Sequence, residues 1–220
     1  MLFADRREAG RLLATKLRAK HYQSPVVLAL PRGGVPVAFE IASALAAPLD
    51  LLLVRKIGAP GQEELAIGAV ADGGQPELVI DPQLIAYLRI SQEQLDKMKA
   101  DALQEIERRR HVYLKKRAPI DVRARTAIIV DDGLATGATM RAALRATRRR
   151  KPARLVLAVP IASADALDRM MSEADETVCL DRAADFFGVG QFYRSFAQLR
   201  DEEVTALLDR AWSLPVPTQA

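Results

Sequence analysis

The chain carries one cysteine and two histidines among 220 residues, and each scarcity removes a class of chemistry. A lone thiol, Cys179, can build neither a disulfide framework nor a C-x-x-C redox or metal site. It lies in an apolar, strand-like run and reads as a packing residue. His21 and His111 stand far from each other in sequence and from any partner motif, so a histidine-based triad or a zinc site lacks its parts. Aromatic residues make up only 5% of the chain. No apolar run approaches the roughly 18 residues that a membrane-spanning helix needs. Charges at Asp5, Arg6, Arg7 and Glu8 come too early for a secretory leader, so a reducing cytoplasm is the expected compartment. Neither sign of charge dominates, with 32 basic against 28 acidic residues and a net charge of +4. Composition alone therefore does not demand nucleic acid, although it suits small anionic ligands.

What is present is a core-forming chain, 50% hydrophobic and 27% charged. This length and balance predict one domain over residues 1–213, followed by a Pro-rich, frayed tail at 214–220. Short apolar runs without polar alternation recur at Val26 to Leu30, Leu51 to Val54, Ala127 to Val130, Leu155 to Val159 and Thr177 to Leu180. Runs of this kind suit strands covered on both faces. Helical spacing separates them, and a peripheral amphipathic helix capped by Asp5 precedes the first. The alternation predicts a doubly wound, mostly parallel α/β sheet flanked by helices.

The most informative stretch is Thr126 to Met140, T-A-I-I-V-D-D-G-L-A-T-G-A-T-M. A buried strand runs straight into Asp131 and Asp132, at the end of a parallel sheet where ligands bind. Thr136, Gly137, Ala138 and Thr139 then open a helix, so their amides are the unpaired first turn and form a seat for an anion. Gly137 lets the backbone approach a phosphate, and two hydroxyls add donors. The paired carboxylates cannot hold that same phosphate. They suit the adjacent hydroxyls of a sugar, or a magnesium ion with its waters. A diol on one side and a phosphate on the other describe a ribose 5-phosphate.

Val130-Asp131-Asp132-Gly133-Leu134-Ala135-Thr136-Gly137-Ala138-Thr139 resembles the phosphoribosyl-diphosphate (PRPP) signature of the type I phosphoribosyltransferases: an apolar strand, two acidic residues, then x-T-G-x-T. The resemblance implies magnesium-dependent transfer of the 5-phosphoribosyl group from PRPP to a nitrogenous acceptor, with release of pyrophosphate. It implies PRPP contacts from Asp131, Asp132, Gly133, Ala135, Thr136, Gly137, Ala138 and Thr139, with Mg2+ at Asp131 and Asp132. The loop after the first core strand, Pro31-Arg32-Gly33-Gly34, fails the spacing of a dinucleotide fingerprint. In the resembled family that loop holds pyrophosphate, which assigns Arg32 and Gly33. Basic residues after the next strand, Arg55 and Lys56, would add charge where the leaving group develops it. Asp131, Asp132, Arg32 and Lys56 are the expected catalytic residues, and a homodimer is the expected assembly.

Three further segments carry expectations. Residues 57–81 read as a flexible loop at 57–64 with a hairpin, and the resemblance makes that loop a lid over the reaction centre. Residues 91–117 form a long inserted helix with a capping box at Ser91 and Gln94. Its basic C-terminal half, from residue 106, reads either as an RNA-binding or dimerising arm or as a solvated helix end. Residues 185–196 gather aromatic side chains, and the resemblance makes them a hood that stacks the acceptor through Phe187, Gln191, Phe192 or Tyr193. Enzymes for 6-oxopurines commonly carry a carboxylate where this chain has Ala135, which disfavours hypoxanthine and guanine. Two alternatives stay open: a regulator that senses PRPP and binds nucleic acid through the basic helix, and an inactive scaffold.

Overall fold

Five parallel strands form the centre of the molecule, seen here in a computed structural model that describes residues 1–72, 77–115 and 117–213. The expected frayed tail at 214–220 lies outside the described residues. In chain order the central strands are β1 (Pro25–Ala29), β2 (Leu49–Leu51), β6 (Thr126–Val130), β7 (Arg154–Ser163) and β8 (Glu176–Ala183). Between β2 and β6 lie β3 (Val54–Ala59), β4 (Gln62–Ala71) and β5 (Glu77–Ile80), which make a separate antiparallel sheet. The helices are α1 (Arg6–Arg18), α2 (Gly34–Leu45), α3 (Pro82–Tyr87), α4 (Gln92–Tyr113), α5 (Ala138–Arg149), α6 (Ala164–Met170) and α7 (Asp201–Ser213).

The central order is β2-β1-β6-β7-β8, all parallel. The chain winds outward one way from β1 to β2 and then returns to lay β6 on the other side of β1. Strand order therefore reverses between β1 and β6, and the loops leaving their carboxyl ends diverge and open a crevice there. Alternation along the strands splits the core. Val27, Ala29, Ile128, Val130, Val156 and Ala158 face one layer with α1, α2 and α7. Val26, Leu28, Ala127, Ile129, Leu155 and Leu157 face the other, against Met140, Ala143 and Leu144 of α5 and Met170 of α6. Both faces are buried, which is why these strands read as continuous apolar runs. The sheet's edges are blocked: Trp212 Nε1 donates to Leu49 O at 2.9 Å beside β2, and Lys16 Nζ donates to Cys179 O at 2.8 Å on β8.

The small sheet differs from the sequence-based expectation in two ways. β2 stops at Leu51, and Val54 starts a new strand in the other sheet, so Arg55 and Lys56 do not stand at the carboxyl end of a central strand. Residues 57–64 also contribute to strands rather than to a loop without regular structure. Pro60 and Gly61 make a tight turn between Ala59 and its partner Gln62, with Gly61 at φ 73°, a conformation that glycine adopts without steric cost. The β4–β5 hairpin is present as expected. Its Ala69, Ala71 and Val79 pack on Ala142 and Ala146, the face of α5 turned away from the central sheet. α4 starts at the expected capping box, with Ser91 and Gln94 each bonding the other's backbone.

Helix α1 sits very close to α2. A methyl group at Gly10 would stand 2.8 Å from Val37 O and 3.0 Å from Glu40 Cβ. Helix propensity would favour alanine by about 0.5–1 kcal/mol, but overpacking against a backbone carbonyl costs about 1–3 kcal/mol. The expected net effect of Gly10→Ala is thus destabilisation by about 1 kcal/mol or more, read as a lower urea midpoint; an unchanged or higher midpoint would show that α1 can shift freely.

Candidate functional site

Asp131 and Asp132 leave β6 at the reversal point. The Asp132 amide donates to Asp131 Oδ1 at 2.8 Å, so the first carboxylate folds back over the backbone of the second. Arg6 Nε donates to Asp132 Oδ2 at 2.7 Å, and the two side chains are only 12% and 13% exposed. Burial pushes both carboxyls above the usual range. For Asp131 the neighbouring Asp132 charge pushes further, and its carboxyl lies well above an ordinary aspartate. For Asp132 the Arg6 guanidinium pulls the other way.

The two flanking loops supply the rest. After β1, the Pro31-Arg32-Gly33-Gly34 loop passes directly over the acidic pair. An added Cβ at Gly33 would lie 2.1 Å from Asp132 Oδ2, and one at Gly34 would lie 2.6 Å from Val130 O. Here glycine serves close approach. Arg32 lies 3.6 Å from Asp201 at the start of α7, and Tyr113 of α4 donates its hydroxyl to the same carboxylate. Burial and that carboxylate push the Tyr113 phenol up to about 12.

After β6, Leu134 bridges to the end of β7: its amide donates to Ile161 O and its carbonyl accepts from Ser163, both at 2.9 Å. Ser163 Oγ adds a bond to Ala135 O at 2.8 Å. Thus pinned, the loop turns through Gly137, at φ 83° and ψ −2°, into α5. Gly137 is the N-cap and no side chain caps this helix start, although α1, α3, α4 and α6 are all capped by a side chain. Ala135 and Thr136 are exposed beside it. The resulting crevice has uncapped amides on one wall, two carboxylates in its floor and a glycine loop with an arginine on the other wall. This arrangement can receive an anion and a polyhydroxyl group side by side.

Residues 4–194 match the phosphoribosyl transferase domain family. The chain belongs to that family. Two Mycobacterium tuberculosis strains each have a relative provisionally named a phosphoribosyl transferase, 47% identical over 210 residues. That alignment takes in 96% of this chain but 47% of the relatives, so the chain spans about half the length of the curated relatives it matches. A crystal structure from Thermus thermophilus is 44% identical, with a TM-score of 0.78, and the match covers 94% of this chain and 98% of that one. A hypothetical Neisseria gonorrhoeae protein solved with bound ppGpp shares the fold, at TM-score 0.53 and 13% identity over 96% of this chain and 94% of its own.

Within this phosphoribosyl transferase domain, the remaining expected residues have the following surroundings. Arg55 and Lys56 line a cavity of about 510 Å³ between β3 and α4, together with Met98, Asp101 and Glu105. In the 185–196 segment, Tyr193 is buried between Phe3 and Phe196, and its hydroxyl donates to Asp132 O at 2.6 Å. Its ring is thus part of the wall behind the acidic pair and cannot stack on an acceptor. Gln191 holds its own loop, accepting from Phe187 N and donating to Asp185 O. Phe192 packs on Phe186, 5.3 Å between ring centroids, whereas Phe187 is 95% exposed. The basic half of α4 is engaged as well: Arg108 and Arg109 pair with Glu105, and Arg110 pairs with Asp72 and Glu107.

Sequence reasoning missed Arg6. Its helix reads as peripheral, and nothing local to an arginine in a first helical turn points to a partner 126 positions away. The raised carboxyls have a consequence for stability. An aspartate whose folded pKa exceeds its unfolded value stabilises the fold below the unfolded pKa and loses that contribution as pH rises through the folded one. A carboxamide in place of the Asp131 carboxylate keeps an oxygen that can accept the Asp132 amide, and it carries no charge. Ligand-free Asp131→Asn is therefore expected to melt above the wild type at pH 8, with the gap closing toward pH 4; a gap that stayed constant with pH would contradict a carboxyl raised by burial and by its neighbour.

Proposed function

We propose that this domain binds PRPP in the β1/β6 crevice and transfers its phosphoribosyl group to a nitrogenous acceptor, releasing pyrophosphate. The observation that carries the reading is the uncapped, glycine-started helix α5 directly beyond two buried carboxylates. The 5-phosphate takes the amides of residues 136–139 and the hydroxyls of Thr136 and Thr139. Asp131 and Asp132 take the ribose diol. Pyrophosphate lies toward the Arg32-Gly33 loop, where a guanidinium favours the charge that develops on departure. As the bond to C1 lengthens, the sugar gains positive charge, and carboxylates beneath it favour that state.

Magnesium suits this donor set in one form only. No group of three or more His, Cys, Asp or Glu side chains among the described residues could cage a metal. Two carboxylates fit a cation that brings its remaining oxygens with the substrate and water. Such an ion would offset the pyrophosphate charge, with Asp131 and Asp132 holding it. Arg55 and Lys56 enter the proposal as cations on the neighbouring small sheet, and Phe187 as the exposed ring available to stack on an acceptor. The sensor reading needs a basic surface for nucleic acid, and the carboxylate partners of Arg108, Arg109 and Arg110 weigh against it.

Calorimetric titration with PRPP and Mg2+ tests the site. Asp131→Asn is expected to weaken binding by roughly 100-fold, the scale of a lost charge-assisted contact, and equal affinity in the variant would reject the assignment. Screening nitrogenous bases for magnesium-dependent pyrophosphate release then separates an enzyme from a sensor, since a sensor binds PRPP and releases none with any base.

A further inference from the structure

The two carboxylates of the crevice are not equivalent. Asp132 Oδ2 is already engaged by Arg6, and the same guanidinium donates from Nη1 to Ala197 O at 3.0 Å and lies 3.8 Å over the Phe196 ring. Three contacts fix a side chain that would otherwise have four free torsions, and a forked, planar donor can make them together where an ammonium cannot. The backbone of Asp132 is held from the same side, since Tyr193 donates to its carbonyl. Asp131 has a different environment. Its Oδ1 accepts the Asp132 amide, its carboxyl also bonds the Asp132 carboxyl, and the contact with Arg6 goes to that neighbour.

The segments that carry these groups are themselves joined. Phe3 N donates to Phe192 O, Arg194 N donates to Phe3 O, both at 2.8 Å, and Ser195 N donates to Ala4 O at 3.0 Å. The chain's first residues and the strap at 192–197 therefore form a small two-stranded clasp. Phe3, Tyr193 and Phe196 fill it, and Arg6 and Tyr193 project from it onto Asp132. On the other side the space is closed by Gly33, where even a methyl group would overlap Asp132 Oδ2. Asp132 is thus gripped between the clasp and the glycine loop.

We propose that Arg6 is a positioning residue that fixes Asp132, so that the acidic pair is anchored to the rest of the fold through Asp132, and Asp131 is held only through its neighbour. This inference rests on the phosphoribosyl reading of the crevice and adds to it a residue outside the recognised motif. Arg6 acts on the ribose through Asp132, and its contacts go to Asp132, Ala197 and Phe196. Losing it should weaken ligands that contain the sugar while sparing a bare phosphate.

Calorimetry with three probes, PRPP with Mg2+, ribose 5-phosphate and inorganic phosphate, tests this on the wild type, Arg6→Gln, Arg6→Lys, Asp132→Asn and the Arg6→Gln/Asp132→Asn double variant. Arg6→Gln is expected to weaken both sugar-containing probes by roughly 10- to 100-fold, as the loss of an outer partner does at comparable sites. Inorganic phosphate should bind as in the wild type. Arg6→Lys should recover part of the loss, and it carries the comparison if the Gln variant does not fold. In the double variant, Arg6→Gln should add little to Asp132→Asn. Unchanged or tighter sugar binding, equal loss for all three probes, or full additivity would each overturn the role of Arg6 and leave PRPP binding by the wild type standing. A wild type that does not bind PRPP would remove the phosphoribosyl reading and this inference with it.

Discussion

Two adjacent, mostly buried carboxylates are the constraint around which this domain is arranged. Like charges taken out of water repel each other and lose hydration, so the pair raises the energy of the ligand-free fold. Such a feature persists only where surrounding groups compensate. Here the compensation comes from two directions, the Asp132 amide and the Arg6 guanidinium. A ligand with paired hydroxyls and a phosphate would complete it, since it supplies donors to the carboxylates and charge to the amides in one rigid unit.

Placement follows from topology. Reversal of strand order between β1 and β6 separates the helices that leave those strands, and both glycine-containing loops come to line one opening. Gly33 and Gly34 let the first loop lie against the acidic pair, where a side chain would collide with Asp132 or with the Val130 carbonyl. On the far side, Leu134 and Ser163 tie the second loop to β7, so the amides at the start of α5 are held on the sheet rather than left to a free turn. α5 is held from both sides, by the central sheet through Met140 and Leu144 and by the small sheet through Ala142 and Ala146. The proposed anion seat is therefore built on a packed element, which lowers the entropic cost of forming it on demand.

The floor of the crevice was readable because its signals are local. A strand covered on both faces must be apolar without alternation, a helix start that binds an anion must lack a capping side chain, and a left-handed N-cap favours glycine. Each condition leaves its mark within the fifteen residues from Thr126 to Met140. Other stretches admitted more than one reading, or a different one, for equally physical reasons. Pro60 and Gly61 resemble loop chemistry, yet the same two residues make a tight turn that pairs Ala59 with Gln62. The aromatic side chains of 186–196 look like a stacking surface, but Tyr193 and Phe196 have partners at the other end of the chain, Phe3 and Arg6, that cover them. The basic run of α4 reads either as an arm for a polyanion or as a solvated helix end, and carboxylates of Glu105, Glu107 and Asp72, the last just past β4, pair with its arginines.

By itself the sequence determined the class of fold, the parallel central strands, the acidic step and its glycine-threonine cradle, because hydrophobic period, cap chemistry and backbone permissiveness act over a few neighbouring residues. Only the tertiary structure decided which carboxylate the Arg6 guanidinium engages, where Arg55 and Lys56 lie, and that the first helix reaches the site at all. Those outcomes depend on contacts between residues more than a hundred positions apart, such as Arg6 with Asp132 and Phe3 with Tyr193. Pairings at that separation are set by how the layers pack, and no local pattern records them.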